Sequence, residues 1–426
     1  MARSIFTVLS YTPRRLAQKR ARALYAMCSV AAVGVAVMLF ARAIPPTASF
    51  EPEQGTQSEG ITSKIDVSAS NGSAVSFASC SIPEPTSAAG YESLLKSVIA
   101  GKWYRADAGH SVKLPNGKVL WVFGDTIIGA SGQTKGTQFV NNTALLTDRG
   151  CITPLVGQKA DTSPQSWILP NATTDTPGVD DYYWCSTPFM DDTTLRIFLL
   201  HIQNISGGFS VIGTDLASFD ISSGTPQLTS VTKTPGAVAS PTAPLWGAAV
   251  GEDATYTYIY GSINKQETWV FGSYYYIARA PKGQVDNNAV WSYWNGSAWV
   301  TDQSQVTSII PGTAGLGTDS TFFIGQDGKP TLISKKYDSF GTDLVAWKAP
   351  VNSFTGPWTE QTPALMAPIP VTPAFTSQDI SYLGMAHPWA NLSSGKLMVG
   401  WSRNSNDLAF FGDIRYGIYL GEVNKL

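Results

Sequence analysis

The stretch Trp103–Gly129, WYRADAGHSVKLPNGKVLWVFGDTIIG, has the pattern of a β-hairpin with a carboxylate at each end. Between its two arms lies Pro115-Asn116-Gly117, and Asn-Gly favours a hairpin turn because both residues tolerate positive φ. The second arm, Val119–Phe123, is continuously apolar, which is typical of a strand buried on both faces. Asp107 begins the first arm and Asp125 ends the second. Antiparallel pairing therefore predicts that the two carboxylates share one edge of a sheet.

The hairpin pattern recurs along the chain, at intervals of roughly 50 to 70 residues, as propeller blades do. The later copies lie at residues 184–201, 245–261, 319–336 and 385–403. Each is followed by a third apolar strand and often by an aromatic outer strand, giving four strands per unit. Five such units predict an all-β, five-bladed propeller, whose closure leaves no long exposed edge. A large β-sandwich is the alternative fold, and it would not require the repeats.

Composition narrows the possible partners of the protein. The chain has 43% hydrophobic and only 14% charged residues, with 13 Trp, 17 Tyr and 18 Phe, so it can build a large β core. Its formal net charge of −2 gives no basic face for nucleic acid, and no nucleic-acid partner is expected. Abundant aromatics with few charges suit a surface that stacks on sugar rings, although a buried β core needs the same residues.

The N-terminal part of the chain predicts a membrane anchor. A basic segment, residues 1–22, precedes a charge-free apolar run at 23–41 that is long enough to span a bilayer. Positive charge before the span predicts a cytoplasmic N-terminus and everything after the span outside the cytoplasm. A cleaved signal peptide, which would give a secreted protein, is the alternative. Residues 42–86 are rich in Ser, Thr and Pro and predict a flexible stalk. Residues 87–426 predict the propeller, with a short helix at 91–99 before its first blade.

The cysteines and histidines predict no metal site or cofactor. Cys28 lies in the apolar run, which leaves Cys80, Cys151 and Cys185 outside, an odd number that allows one disulfide within the chain. Cys151 with Cys185 is the expected pair. No C-x-x-C pair or His/Cys cluster has the spacing of a zinc site.

Alignment of the five copies predicts a pocket on the propeller axis, where the ends of the inner strands converge. Its predicted lining holds several titratable residues: Asp107, Asp125, His201, Asp319, Lys336, His387 and Arg403. Such a pocket is the default hypothesis for an active site. Asp319 aligns with Asp107, and could orient the pair, bind sugar hydroxyls or serve as a turn residue. His387 and His201 are candidate ligands or groups that tune a pKa, and Arg403 is a candidate clamp for hydroxyls.

Four further residues are candidates for substrate binding or support. Strand alternation places His110 on the face opposite Asp107, where a structural histidine is the competing interpretation. Asn141 and Asn142 precede the third strand of the first unit and could bind substrate or cap a turn. Trp184 could be a platform for a sugar ring or part of the packed wall.

The signature ADAGHSVKLPNGKVLWVFGDT, at residues 106–126, resembles the five-bladed propeller glycosidases that include bacterial endo-D-arabinanases, a group long known only as a domain of unknown function. The resemblance extends over residues 90–423, but only the first unit, with Phe139–Thr143 after it, is a specific match. It implies that Asp107 and Asp125 are the catalytic pair. It also implies hydrolysis of furanosidic linkages in the arabinan of a cell-envelope polysaccharide.

Glycoside hydrolysis generally uses one protonated and one ionised carboxyl group on opposite sides of the scissile bond. We expect Asp107 to be the ionised partner and Asp125 the acid; the competing interpretation is that both aspartates cap turns. Carboxyl groups about 5–5.5 Å apart would form a covalent intermediate, whereas about 6.5–9.5 Å leaves room for an attacking water.

The sequence leaves other functions open. They are a non-catalytic carbohydrate-binding or adhesion propeller, a propeller scaffold for protein partners, and an exo-acting arabinofuranosidase. D- versus L-arabinan and the oligomeric state are open as well.

Overall fold

A computed structural model describes most of the chain after residue 60. The described residues are 61–65, 73–77, 80–97, 99, 101–129, 138–170, 181–206, 208–236, 243–265, 267–341, 343–361, 379–405 and 415–426. The predicted cytoplasmic segment, the predicted span at 23–41 and most of the predicted stalk lie outside these residues. Within the described part of the chain, no helix is long and apolar enough to cross a bilayer.

The described chain is built almost entirely from antiparallel strands. The strands are β1 (Ile61–Ile65), β2 (Ser73–Phe77), β3 (Arg105–Lys113), β4 (Val119–Ile128), β5 (Gln138–Val140), β6 (Thr143–Asp148), β7 (Cys151–Leu155), β8 (Gly157–Gln158), β9 (Pro164–Gln165), β10 (Asp181–Asp191), β11 (Thr194–Ile205), β12 (Gly208–Asp220), β13 (Gln227–Lys233), β14 (Leu245–Glu252), β15 (Tyr256–Ile263), β16 (Tyr274–Pro281), β17 (Ser292–Trp294), β18 (Trp299–Val300), β19 (Leu316–Ile324), β20 (Pro330–Lys336), β21 (Leu344–Lys348), β22 (Thr359–Glu360), β23 (Asp379–His387), β24 (Leu397–Ser405) and β25 (Gly417–Val423). The helices are α1 (Ala88–Leu95) and 3₁₀ turns at Asn288–Val290, Gln303–Gln305, Gly312–Ala314 and Asp338–Phe340.

These strands form the five predicted blades. Blade 1 contains β3 to β7, blade 2 β10 to β13, blade 3 β14 to β18, blade 4 β19 to β22 and blade 5 β23 to β25, while β1 with β2 and β8 with β9 form two small separate sheets. The innermost strands β3, β10, β14, β19 and β23 contact one another in that order, and β23 contacts β3. The ring is therefore closed, which confirms the five-bladed propeller and excludes the β-sandwich.

The inner strand of every blade begins at the same end of the propeller, which we call the top face. Since the second strand of each blade runs antiparallel to the first, it ends at this face. The predicted double-sided burial of Val119–Phe123 is confirmed, because each of these residues is at most 2% exposed. Its side chains pack between blades 5 and 2.

Helix α1 covers the outer edge of blade 5, where the described chain supplies only three strands. The helix begins earlier than predicted because the hydroxyl of Ser87 caps it, accepting from the Gly90 N–H at 3.1 Å. The Glu92 carboxylate accepts from the Leu420 N–H of β25 at 2.7 Å, and Glu422 accepts from the Ala88 N–H at 3.0 Å. The bond to Leu420 gives a partner to a backbone group on the edge of β25, where a fourth strand would otherwise pair.

The predicted disulfide is wrong. Cys151 pairs with Cys80, at a Cα–Cα distance of 5.8 Å, whereas Cys185 is a free, buried thiol on β10. Cys185 packs among apolar side chains between blades 1 and 2, so it serves as a small core residue. The Gly150 N–H also donates to the Ile82 carbonyl at 3.1 Å. The disulfide thus ties the segment before α1 to the outermost strand of blade 1.

The predicted inner strand of blade 5 is also misplaced. We expected it at residues 385–389, with His387 at the top face, but β23 spans Asp379–His387 and His387 ends it at the opposite face. The strand begins earlier because residues 379–382 pair with β24 before a bulge between Tyr382 and Met385. Pro388 then follows His387, and a proline cannot donate to the ladder.

Asp191 links blades 2 and 3 at the face opposite the top. Although it sits in a hairpin turn, it is only 1% exposed. Its carboxylate accepts from Arg196 Nε at 3.0 Å, from the Thr257 hydroxyl at 3.2 Å, and from the backbone N–H groups of Gly283 and Val285 at 2.7 and 3.2 Å. Three of the four donors come from blade 3, so no local pattern in the sequence indicates this link.

Replacing Asp191 by Ala should lower the free energy of unfolding by about 3–5 kcal/mol, because it leaves Arg196 and two N–H groups without their buried acceptor. Urea denaturation would measure the change. Asp192→Asn, at the exposed neighbouring position, is the matched control and should change stability by no more than about 0.5 kcal/mol. Equal effects of the two substitutions would contradict the proposed link between the blades.

Candidate active site

A bulge in β3 sets the direction of the Asp107 side chain. The register with β4 shifts on both sides of Ala108, and Ala108 and Gly109 have φ of 63° and 94°. A Cβ on Gly109 would lie 2.2 Å from Ile418 Cδ1 on blade 5, so glycine is required at this position. The Ala108 N–H donates to the Ser402 hydroxyl on β24 at 2.8 Å. Blade 5 thus holds the bulge in place.

Asp107 and Asp125 lie beside each other at the top face, as the hairpin predicted. The Asp107 carboxylate packs over Gly124, where a Cβ would lie 2.7 Å from its Oδ1. The Tyr382 hydroxyl of blade 5 donates to Asp107 Oδ2 at 2.7 Å. Asp107 therefore lies buried at the seam between blades 1 and 5.

Asp125 is partly exposed and belongs to the seam between blades 1 and 2. The Trp184 indole Nε1–H donates to Asp125 Oδ1 at 2.6 Å, and the Tyr416 hydroxyl donates to the Asp125 carbonyl at 2.9 Å. The Trp184 ring has Phe209 and Tyr182 at centroid distances of 4.8 and 5.8 Å. Trp184 is thus both a hydrogen-bond donor to the site and the centre of an aromatic wall beside it.

The electrostatics of the site distinguish Asp107 from an ordinary surface carboxyl group. Burial raises its pKa from 3.8 to about 6, while hydrogen bonds from Tyr382 and Tyr416 hold the pKa below the value that burial alone would give. Burial and the nearby Asp319 likewise raise the pKa of Asp338, in blade 4, to about 6. A carboxyl group that titrates near neutral pH can exchange protons with a bound substrate.

His110, Ser186 and Asp319 meet near the propeller axis. His110 Nε2 lies 3.5 Å from Asp319 Oδ2, and the Ser186 hydroxyl donates to Asp319 Oδ1 at 3.4 Å. His110 belongs to blade 1, Ser186 to blade 2 and Asp319 to blade 4. The bulge in β3 breaks the alternation of side chains between the two faces of the strand, so the predicted direction of His110 is wrong. His110 lies near the propeller axis instead. Asp319 is 8% exposed and contacts both of the other side chains, and its orientation of the Asp107 and Asp125 pair stays a prediction.

His201 lies near the top of blade 2 between two carboxylates. Its Nδ1 is 3.2 Å from Asp215 and its Nε2 is 3.4 Å from Asp181. The Tyr183 hydroxyl donates to the same Asp215 at 2.6 Å. His201 therefore contacts its own blade rather than Asp107 or Asp125.

Asn142 has a structural role, because it is fully buried. Its amide donates to the carbonyls of Ile168 and Tyr183 and accepts from the Ile168 N–H. Asn141 is partly exposed, and its N–H donates to the Ser166 hydroxyl at 3.1 Å.

Arg403 and His387 do not form an exposed clamp or rim. Arg403 is fully buried and donates to Asp379 Oδ2 at 2.7 Å. His387 is fully buried beside Trp121, with Nδ1 2.7 Å from the Ser111 hydroxyl, and burial lowers its pKa to about 3. An imidazole of such low pKa stays neutral, as expected for a structural histidine.

Sequence reasoning missed two groups that contact the pair, Tyr382 and Tyr416, as well as Ser402, which bonds the Ala108 N–H, and Asp338. All three of Tyr382, Tyr416 and Ser402 belong to blade 5, and Tyr382 was missed because the inner strand of that blade was misplaced. Asp338 follows β20 in a left-handed backbone conformation, with φ of 51°. Its position two residues after the second strand of a blade was the one available signal. Among the described residues, no group of three or more His, Cys, Asp or Glu side chains could hold a metal ion.

The fold and site define a five-bladed propeller with a pair of carboxylates at the top of its first blade. The chain belongs to the DUF5005 family, a domain of unknown function, whose sequence profile matches residues 89–416. No curated protein matches the chain significantly in sequence.

Solved structures match the chain at low sequence identity. A presumed hydrolase from Bacteroides ovatus is 17% identical, with a TM-score of 0.58 over 79% of this chain and 89% of its own. An endo-arabinase from Bacteroides thetaiotaomicron is 11% identical, with a TM-score of 0.42 over 77% of this chain and 96% of its own. A GH43_1 enzyme from Xanthomonas citri is 12% identical, with a TM-score of 0.43 over 78% and 93%. At 17% identity, the likeness to the Bacteroides ovatus structure concerns the fold alone.

The raised pKa of Asp107 predicts a pH-dependent stability difference between the wild type and Asp107→Asn. Because the folded-state pKa lies above 3.8, ionisation of Asp107 disfavours the folded state as the pH rises from about 4 through 6. The Asn variant cannot ionise. Its stability relative to the wild type should therefore increase by up to roughly 3 kcal/mol between pH 4 and pH 7. Urea denaturation at each pH would measure it, and a difference independent of pH would contradict the assignment.

Proposed function

We propose that the protein is a glycoside hydrolase that cleaves furanosidic linkages in the arabinan of a cell-envelope polysaccharide. The observation that carries the proposal is the carboxylate pair. Burial raises the pKa of Asp107 to about 6, and its neighbour Asp125 is partly exposed and accepts a hydrogen bond from the Trp184 indole. Two carboxyl groups of different environment at one rim are what glycosidic bond cleavage requires. The resemblance of residues 106–126 to endo-D-arabinanases supports the choice of substrate.

In this proposal Asp107 acts as the ionised partner. Its carboxylate accepts hydrogen bonds from Tyr382 and Tyr416, which favour the charged form and fix its orientation. A pKa of about 6 leaves it ionised at neutral pH but more basic than an ordinary aspartate. Asp125, at the more open position, is then the group that protonates the departing oxygen.

The carboxylate pair also favours an enzyme over a carbohydrate-binding or adhesion propeller. A binding module would use the aromatic wall around Trp184 without needing a buried carboxyl group of raised pKa. Burying Asp107 lowers stability at neutral pH, and such a cost is typical of functional sites. An exo-acting arabinofuranosidase would use the same pair, and the lengths of the products distinguish it from an endo-acting enzyme.

We further propose that the propeller works outside the cytoplasm, held by the predicted membrane span at 23–41. The Cys80–Cys151 disulfide supports this location, because disulfides persist in oxidising compartments.

The test is incubation of the full-length protein with mycobacterial-type arabinogalactan and, separately, with plant arabinan, and analysis of the released sugars. Oligosaccharides of several lengths are expected from the arabinogalactan. Asp107→Asn and Asp125→Asn should each lower the rate by about 100-fold or more with folding intact. Asp192→Asn, the same chemical change away from the site, should keep the full rate.

Release of arabinose alone would favour the exo-acting enzyme. Cleavage of plant arabinan alone would change the proposed substrate but keep Asp107 and Asp125 as the proposed catalytic pair. Binding of polysaccharide without any cleavage would favour the carbohydrate-binding propeller.

The roles of the two carboxyl groups can be separated with a nitrophenyl arabinofuranoside. Its leaving group departs without protonation, so Asp125→Asn should retain far more of its rate on this compound than on the polysaccharide. Asp107→Asn should lose both rates, because it lacks the ionised partner. The reverse pattern would exchange the two roles.

A further inference from the structure

The exposed aromatic side chains of this protein are concentrated on one face. In the described part of the chain, four aromatic residues are exposed: Phe209, Trp269, Phe271 and Tyr337. Each follows the second strand of its blade, at the start of β12, between β15 and β16, or directly after β20. Because second strands end at the top face, all four lie on the same face as Asp107 and Asp125.

Two of these aromatics are held in a backbone conformation that bulky residues rarely adopt. Trp269 is 75% exposed and has φ of 68°, and Tyr337 is 40% exposed and has φ of 58°. Left-handed backbone at a bulky residue is unfavourable, and glycine would relieve it. An exposed tryptophan offers little packing in return. Strain of this kind, at residues that present aromatic rings to solvent, points to a function for the rings.

Trp269, Phe271 and Tyr337 form one surface, which we call the aromatic ledge. The segment that carries Trp269 and Phe271 packs on the turn before β19, where a Cβ on Gly272 would lie 2.4 Å from Gly315 Cα. A Cβ on Gly315 would in turn lie 2.5 Å from the Tyr337 ring. The Gly272–Gly315 contact lets blades 3 and 4 approach closely, and the Gly315–Tyr337 contact within blade 4 extends the surface to Tyr337, so the ledge lies on both blades.

Two pairs of opposite charge lie beside the ledge, and Asp338, next to Tyr337, adds a carboxyl group whose pKa is raised to about 6. Lys265 lies 4.1 Å from the centroid of the Tyr274 ring, and the hydroxyl of that tyrosine donates to Glu267 at 2.9 Å. Lys336, next to Tyr337, forms an ion pair with Glu360. Aromatic faces whose neighbouring charges are paired suit a ring-shaped ligand without charge.

We propose that the aromatic ledge binds the part of a neutral polysaccharide chain that extends beyond the cleaved linkage. The aromatic wall of Trp184 and Phe209 lies on blade 2 beside Asp125, and the ledge lies on the same face of blades 3 and 4. A short substrate would contact only the wall, whereas a polymer would contact both. The proposal rests on the proposed glycosidase function and deepens it, since it assigns the selection of long chains to this surface.

Trp269→Gly tests the proposal without confusing binding with folding. Glycine relieves the left-handed strain, so the thermal midpoint should stay the same or rise. The ratio of kcat/KM on arabinogalactan to that on a nitrophenyl arabinofuranoside should fall at least about fivefold. Trp269→Phe should keep most of the ratio. Ile324→Ala, an exposed apolar residue at the opposite end of β19, is the matched control and should leave the ratio unchanged.

A second measurement is retention of the Asp125→Asn protein in gels that contain arabinogalactan, with and without Trp269→Gly. Weaker retention in the double variant is the expected result. A kcat/KM ratio at the wild-type value, or equal retention of both proteins, would overturn the ledge while leaving the glycosidase proposal standing. If the wild type cleaves neither substrate, the glycosidase proposal fails. Retention that depends on Trp269 would then still support the ledge, and absence of retention would overturn it.

Discussion

The top face depends on the burial of one carboxylate at the seam where the propeller closes. Asp107 projects from a bulge in the first inner strand, lies over Gly124 and accepts a hydrogen bond from Tyr382 of the last blade. The first and last blades meet at this contact. A carboxylate placed here loses solvation, which raises its pKa, and the tyrosine hydroxyl groups restore part of that loss. Closure of the ring and tuning of Asp107 therefore share the same contacts.

The rest of the chain supports that seam from the outside. Helix α1 binds the outer edge of blade 5 through Glu92, and the Cys80–Cys151 disulfide ties the segment before this helix to blade 1. The N-terminal segment thus spans the two blades that form the Asp107 site. At the opposite face, the buried Asp191 joins blades 2 and 3. The top face carries a buried acid of raised pKa and strained aromatics, whereas the buried acid of the opposite face, Asp191, accepts four hydrogen bonds.

The fold and the two central acids could be predicted because their signals are local. The Asn-Gly turn and the apolar arm fix one hairpin, and its antiparallel geometry brings Asp107 close to Asp125. The remainder of the site could not be predicted in this way. A bulge adds a residue to a strand and reverses the alternation after it, which is why His110 lies on the axis. The sequence carries no comparable signal for where β23 begins, so Tyr382 was missed and His387 was placed at the wrong end.

The sequence by itself determined the strand pattern, the repeat and the acids of the first hairpin, because strand periodicity and turn chemistry act between residues close in the chain. Only the tertiary structure decided which residues meet across the ring. Tyr382 and Asp107 are far apart in sequence, as are Asp319 and His110, and Cys80 and Cys151. Ring closure brings these groups together, and burial in the closed ring sets the pKa of Asp107. Contacts of this kind depend on the positions of whole blades, which no local pattern specifies.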